Sequence, residues 1–143
     1  MEIIIRETEK RDYPGVVEIW NNDIGCNFTV ENLSSFHDKF KGNDKAKAFV
    51  AELENRIVGI IYIMQCSAWS VDGDYFWVQC IAVKKDMQGK GIGTKLLNHI
   101  EKLGKEIGVE YVTLNTGVHR TAAHAFYERN GYSSGNYCFG KKL

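Results

Sequence analysis

The sequence lacks the features that mark several specialised classes of protein. Only one of its 143 residues is proline, and no serine- and glycine-rich stretch interrupts it, so a single domain over residues 1–143 is expected. The longest apolar run, 57–64, is far shorter than the ~18–20 residues of a membrane-spanning helix. The first residues carry no basic segment followed by an apolar stretch, so no signal peptide is expected.

Excess charge and paired cysteines are also missing. Eighteen Lys and Arg balance eighteen Asp and Glu, whereas a nucleic-acid-binding protein usually has a basic excess. The four cysteines show neither a CxxC pair nor the spacing of zinc ligands. We therefore expect reduced thiols in a cytoplasmic protein, with no nucleic acid, membrane or metal as a partner.

Apolar periodicity predicts strands that alternate with helices, the pattern of a layered α/β or α+β fold. The predicted strands are 2–7, 46–53, 56–65, 75–83 and 110–115, with one or two more within 132–142. The predicted helices are 12–22, 30–40, 91–107 and 121–130. Glu54-Asn55 suits a tight hairpin turn, and 67–74 is expected to form a loop.

The most informative segment is the glycine-rich turn, residues 88–94, which joins an apolar strand to an amphipathic helix. Glycines at 89, 91 and 93 allow a ligand to approach the backbone, and the helix N-terminus adds partial positive charge. The pattern suits an anion, most naturally a pyrophosphate, although a tight turn that only aids packing remains an alternative. It fits neither GxxxxGK[ST] nor GxGxxG.

Two motifs stand out, namely Gln88-x-x-Gly91-x-Gly93 after the strand ending in Ile81-Ala82-Val83, and the helix-to-strand segment 122–132 around Tyr127 and Gly131. They resemble those of the GNAT acetyltransferase superfamily. The resemblance covers the whole chain. It implies a central mixed, mostly antiparallel sheet of six to seven strands flanked by about four helices, with a V-shaped splay between the fourth and fifth strands.

The resemblance also implies a role for each matching residue, with acetyl-CoA as co-substrate and no metal. The Ile81 N–H would stabilise the oxyanion, Tyr127 would be the general acid, and Asn115 would face the pantetheine or thioester end. The backbone of Ile81, Ala82 and Val83 would pair with the pantetheine arm. The residues expected to hold the pyrophosphate are Gln88, Gly89, Lys90, Gly91, Ile92, Gly93 and Thr94.

The general base departs from the family pattern. Gln79 and Cys80 stand where many members carry a carboxylate, so a water chain from the fourth strand is favoured over acids such as Asp72, Asp74 or Glu31. His124 and Arg120 flank the Tyr127 helix, where His124 is either a proton relay or a structural residue. The remaining histidines, His37, His99 and His119, are expected at the surface.

The expected activity is acetyl transfer to a primary amine of a small molecule. The acceptor would be read by the segment 20–40, the loop 69–74 and the last strands, whose aromatic and acidic residues suit a cation but also fit a core or a solvated surface. Two alternatives stay open, namely acetylation of a protein N-terminus or lysine, and a CoA-binding module without catalysis. Exposed strand edges would allow a homodimer.

Overall fold

A computed structural model describes residues 2–69 and 73–143, in which five strands alternate with four α-helices. The strands are β1 (Ile4–Glu7), β2 (Ala46–Leu53), β3 (Arg56–Ser67), β4 (Asp74–Val83) and β5 (Tyr111–Leu114). The helices are α1 (Tyr13–Ile19), α2 (Val30–Lys39), α3 (Ile92–Ile107) and α4 (Thr121–Arg129). Short 3₁₀ turns lie at Lys10–Asp12 and Lys85–Met87, and a π-helical turn, Trp20–Ile24, extends α1.

Local sequence signals set several of these boundaries. Thr29 caps α2, since its side chain accepts a hydrogen bond from the Asn32 N–H while the Asn32 side chain accepts from the Thr29 N–H. Glu54 and Asn55 both adopt positive φ, 50° and 65°, which is the geometry that a two-residue hairpin between β2 and β3 requires. The predicted hairpin is therefore present.

The sheet has the order β1-β2-β3-β4-β5. The pairs β1–β2, β2–β3 and β3–β4 are antiparallel, and β5 lies parallel to β4. The mixed α/β architecture is confirmed, but the predicted six to seven strands are wrong, because the described residues form five. The segment 132–143 contains no strand. Its glycine, serine and asparagine content disfavours pairing, and its aromatic side chains Tyr137 and Phe139 stay about 90% exposed.

The two faces of the sheet are covered by different helices. On one face α3 approaches closely, because a Cβ at Gly59 would lie only 3.0 Å from Ile92 Cγ2 and 3.1 Å from Leu96 Cδ1. On the other face, α1 and α2 bury a cluster that includes Val16, Ile60 and Tyr62. Cys80 and Ala82 of β4 pack against this cluster.

The chain divides into two compact units, Met1–Thr113 and Leu114–Leu143. The first unit holds α1 to α3 and nearly all of the sheet, and the second holds α4. Within the parts of the chain that the structure describes, no helix is both long enough and apolar enough to cross a bilayer.

Candidate active site

The predicted glycine-rich turn between β4 and α3 has the geometry of an anion cradle. Gly89 and Gly91 adopt left-handed backbone conformations with φ of 76° and 79°, which side-chain-bearing residues rarely take. A Cβ built at either glycine would meet no atom within 4 Å, so both face open space. No side chain caps α3 and its first turn contains no acid, which leaves its N-terminal amides for a ligand. The turn therefore offers backbone donors to an anion.

Side chains of the turn itself brace its backbone. Met87 is buried beneath it, and Gln88 Nε2 donates to the Val83 carbonyl oxygen at 3.2 Å. Lys90 Nζ lies 3.7 Å from Met87 Sδ. The side chains of Gln88 and Lys90 thus fold back onto their own segment. The Gln88 N–H also donates, at 3.3 Å, to the Lys85 carbonyl oxygen, so the backbone amides from Gly89 onward are the groups suited to bind phosphate.

Contacts from the α1 side hold the start of the turn. Lys84 Nζ forms an ion pair with Glu18 Oε1 at 2.6 Å, and the backbone N–H of Lys85 donates to Asp23 Oδ1 at 3.0 Å. Lys84 is therefore engaged with α1, and the segment that leads into the glycine-rich turn is anchored to the π-helical turn at Trp20–Ile24.

A β-bulge interrupts β4 just before the predicted cofactor-binding residues. Tyr62 of β3 pairs with Cys80, whereas the next residue, Ile63, pairs with Val78, so Gln79 is an extra residue in β4. A bulge leaves its extra residue outside the regular ladder and bends the strand. Ile81, which pairs with Ile61, follows this bend.

The outer edge of β4 is accompanied by β5 over only part of its length. The Glu110 N–H donates to the Asp74 carbonyl oxygen at 2.8 Å, and the rings of Tyr75 and Tyr111 stack with centroids 5.0 Å apart, so the two strands start side by side. β5 has four residues and β4 has ten. Hence β5 ends before it reaches Ile81–Val83, where an added extended arm could pair.

Aromatic side chains gather on the α1–α2 face beside the bulge. The centroid of the Trp20 ring lies 5.4 Å from that of Tyr62 and 5.3 Å from that of Phe28. The ring centroids of Phe36 and Tyr62 are 6.0 Å apart. His37 joins this group through a hydrogen bond to the Tyr62 hydroxyl. Sequence reasoning named Trp20 and Phe28 but missed Tyr62 and expected His37 at the surface. The expectation is wrong for His37 and for His99, which are both half-buried, whereas His119 is exposed.

The second unit carries the remaining predicted residues. Tyr127 is half-buried on α4, with its ring 5.2 Å from Phe126 and 6.1 Å from Tyr132. His124 Nε2 lies 2.8 Å from the Gly117 carbonyl oxygen, which favours a structural role in closing the segment before α4. Asn115 is exposed directly after β5.

The acids considered as bases are poorly suited to that task. Asp74 accepts hydrogen bonds from Ser67 and Gln65, both at 2.7 Å, and these bonds hold the pKa of Asp74 below its ordinary range. Glu31 is exposed in the first turn of α2, and Asp72 lies outside the described residues. Across residues 2–69 and 73–143, no three His, Cys, Asp or Glu side chains come together as a metal-binding group.

Known proteins match both the sequence and the fold. The model of the acetyltransferase (GNAT) family matches residues 9–132. An uncharacterized N-acetyltransferase of Methanocaldococcus jannaschii is 30% identical over 131 residues, which cover 91% of this chain and 78% of that protein. The aminoalkylphosphonate N-acetyltransferase of Salmonella typhimurium is 36% identical over 66 residues, which cover 46% of this chain and 43% of that enzyme. A GNAT family acetyltransferase of Staphylococcus aureus has a crystal structure that matches with a TM-score of 0.82 at 23% identity, over 100% of both chains.

These matches define the class of protein as an acyltransferase. The chain belongs to the acetyltransferase (GNAT) family. The resemblance read from the two motifs is thereby confirmed, and so is the expectation of an enzyme.

Proposed function

We propose that residues 1–143 form a single acetyltransferase domain that uses acetyl-CoA to acetylate a primary amine of a small molecule. The observation that carries the proposal is the turn in which Gly89 and Gly91, both left-handed, face open space ahead of an uncapped helix. Such a turn offers several backbone N–H groups to one anion, as the pyrophosphate of coenzyme A requires.

In this proposal the cofactor is held mainly by backbone groups. The amides of Gly89 to Thr94 bind the pyrophosphate and Gln88 braces the turn, while Ile81, Ala82 and Val83 pair with the pantetheine arm along the part of β4 that β5 does not accompany. Asn115 faces the pantetheine or thioester end. The splay between β4 and β5 would begin at the bulge, because a bulge bends its strand.

Acetyl-CoA supplies an activated acetyl group as a thioester. The N–H of Ile81 donates to the thioester carbonyl oxygen, on which negative charge develops during transfer. The strand β4 holds this N–H in position before the reaction. Tyr127 donates its phenolic proton to the departing thiolate. A phenolic O–H is a proton donor, so Tyr127 has a proton to give.

The acceptor is proposed to be a small amine with a cationic form. The aromatic group around Trp20, Phe36 and Tyr62 offers rings that attract cations. The Salmonella relative is named for an aminoalkylphosphonate, a small amine, and it matches 46% of this chain. The rings suit any cationic amine, and the relative's name supports a small acceptor over a peptide.

An acceptor screen tests the proposal. The purified chain is mixed with acetyl-CoA and a panel of small amines, aminoalkylphosphonates, amino sugars, N-terminal peptides and lysine peptides, and thiol release is recorded. Binding of acetyl-CoA is measured separately by calorimetry. Thiol release with a small amine supports the proposal, while release only with peptides favours a protein acetyltransferase. Binding without any release favours a module without catalysis, and absence of binding overturns the cofactor site.

A further inference from the structure

The departure at Gln79 and Cys80 leaves the reaction without an obvious base, although a primary amine must lose a proton before it attacks a thioester. An alkylamine with a pKa of about 10 is almost fully protonated at pH 7. Neither Gln79 nor Cys80 carries a carboxylate, and the hydrogen bonds to Asp74 keep that acid ionised and weakly basic. A group that takes up a proton near neutral pH is therefore required on the acceptor side.

One histidine of the first unit has the required contacts. His37 Nε2 lies 2.8 Å from the Tyr62 hydroxyl oxygen, and the imidazole stacks on Tyr13 with ring centroids 4.7 Å apart. Tyr62 is 6% exposed, whereas His37 is half-buried on α2 and so keeps contact with water. The pair links a buried hydroxyl to a group that can exchange protons with solvent.

The register of the sheet brings this pair to the bulge in β4. Tyr62 is the direct cross-strand partner of Cys80, the residue before Ile81. Directly opposed residues on antiparallel strands project from the same face, with Cβ atoms about 5 Å apart. The Tyr62 ring therefore lies one strand away from the segment proposed to hold the pantetheine arm.

We infer that Tyr62 and His37 form the proton relay of the acetyl transfer, with His37 as the final proton acceptor. The inference rests on the proposed function. Before the attack, one N–H bond of the ammonium breaks and its proton binds Tyr62 Oη, which leaves the nitrogen a lone pair. The original hydroxyl proton of Tyr62 passes to His37 Nε2, and the imidazolium then releases one proton to water. The second proton, which the nitrogen loses after it has bonded to the acetyl carbon, balances the proton that Tyr127 gives to the thiolate. Because His37 acts through Tyr62, it is a positioning residue, and Tyr62 is the group that meets the acceptor.

The electrostatic surroundings favour this direction of transfer. Burial lowers the pKa of His37, while Asp38 on the same helix opposes the shift, so the imidazole is neutral at pH 7 and can accept a proton. Burial, together with Cys80, Tyr13 and Asp12, raises the pKa of Tyr62. Tyr62 therefore cannot act as a free phenolate and must pass one proton on as it receives another.

Two conservative variants test the relay. Tyr62→Phe keeps the ring and removes the hydroxyl, and His37→Gln removes the titrating group. In a pH series with a confirmed amine, each variant should lower kcat at pH 7 by about a hundredfold. The loss should shrink towards pH 10, where about half of the amine is already deprotonated, and the affinity for acetyl-CoA should not change. The double variant should be no slower than the slower single variant.

His99→Gln is the matched control. His99 is also half-buried, but it lies on α3, against Phe49, on the opposite face of the sheet. Its loss should leave the pH profile unchanged. A rate loss in Tyr62→Phe that is equal at every pH indicates a packing role and overturns the relay, as does an unchanged rate at pH 7.

A second readout needs no turnover. Nitrogen-15 NMR of the histidine rings in the unliganded protein should show His37 neutral at pH 7, with its proton on Nδ1 and Nε2 accepting from Tyr62. In Tyr62→Phe the tautomer preference should weaken. A cationic His37, or one with its proton on Nε2, overturns the inference. If the wild type acetylates an amine while these results go against His37, only the relay is wrong; if the wild type neither binds acetyl-CoA nor releases thiol, the proposed function itself fails.

Discussion

The backbone N–H of Lys85 donates to Asp23 Oδ1 at 3.0 Å, although 62 positions separate the two residues in sequence. The contact joins the 3₁₀ turn Lys85–Met87, which leads into the turn that we assign to the cofactor, to the helical segment that we assign to the acceptor. The neighbouring ion pair between Lys84 and Glu18 makes the same connection. The shape of the cofactor turn thus depends on residues more than sixty positions upstream.

Replacement of Asp23 should therefore weaken cofactor binding. Asp23→Ala removes the acceptor of the Lys85 N–H, and the loss of one hydrogen bond, about 1 kcal/mol, should raise the Kd of acetyl-CoA about fivefold. Asp23→Asn keeps a side-chain oxygen and should bind nearly as well as the wild type. Calorimetry on the three proteins checks this, and equal affinities for all three would show that the contact does not support the turn.

Gly91→Ala should impair cofactor binding more than it impairs folding. The left-handed backbone at this position costs a side-chain-bearing residue about 1–2 kcal/mol, and the new methyl group would stand in the space proposed for the pyrophosphate. Gly108→Ala is the control, since Gly108 ends the same helix with φ of 83° and also has no atom near a built Cβ. Both variants should lose similar stability in urea, but only Gly91→Ala should lose affinity for CoA. An equal affinity in both variants would contradict the assigned site.

Tyr127→Phe tests the general acid. If the phenolic proton reaches the departing thiolate, its removal should lower kcat about a hundredfold and leave the KM for acetyl-CoA almost unchanged. Tyr132→Phe, whose ring lies 6.1 Å from that of Tyr127, is the comparison and should retain activity. Steady-state kinetics with a confirmed amine decide between the two results, and an unchanged kcat in Tyr127→Phe removes the assignment.

The ion pair of Arg6 and Asp12 should make stability fall in acid. Arg6 donates to both Asp12 oxygens, at 2.7 and 2.8 Å, and Asp12 is 4% exposed. Burial alone would raise the pKa of Asp12, but the bonds from Arg6 and from the Glu9 N–H outweigh it and hold this pKa below its ordinary value. The stabilisation is thus complete above the unfolded-state pKa of about 3.9 and is lost as the pH falls through the lower native pKa.

Asp12→Asn should consequently cost about 3 kcal/mol at pH 7, because it leaves Arg6 with one charged partner fewer in a largely buried setting. The difference from the wild type should shrink below pH 4. Arg11→Gln is the control, since the Arg11–Glu9 pair is exposed and such pairs contribute at most about 1 kcal/mol. Urea unfolding at pH 7 and pH 3 measures both effects. A constant difference for Asp12→Asn at the two pH values would contradict the linkage.

The sequence predicted those parts of the fold that depend on local chemistry. Glycine at 89 and 91 and the pair Glu54-Asn55 specify backbone conformations by themselves, so the turn and the hairpin could be read directly. The number of strands could not be predicted in this way, because pairing of the segment 132–142 depends on a partner strand that no local pattern reveals. The histidine contact was missed for the same reason. His37 meets Tyr62 across 25 positions, and only the packing of α2 on β3 brings them together.

The bulge at Gln79 reverses the inward and outward positions along β4. Before it, Phe76 and Val78 point towards α3, while beyond it Ile81 takes that direction, opposite Ile61. A redesign that assumed strict alternation along β4 would assign the side chains on one side of the bulge to the wrong face of the sheet. Deleting Gln79 would remove the irregularity without turning the strand, because Val78 and Cys80 already oppose the consecutive residues Ile63 and Tyr62, so the later side chains of β4 would keep their faces.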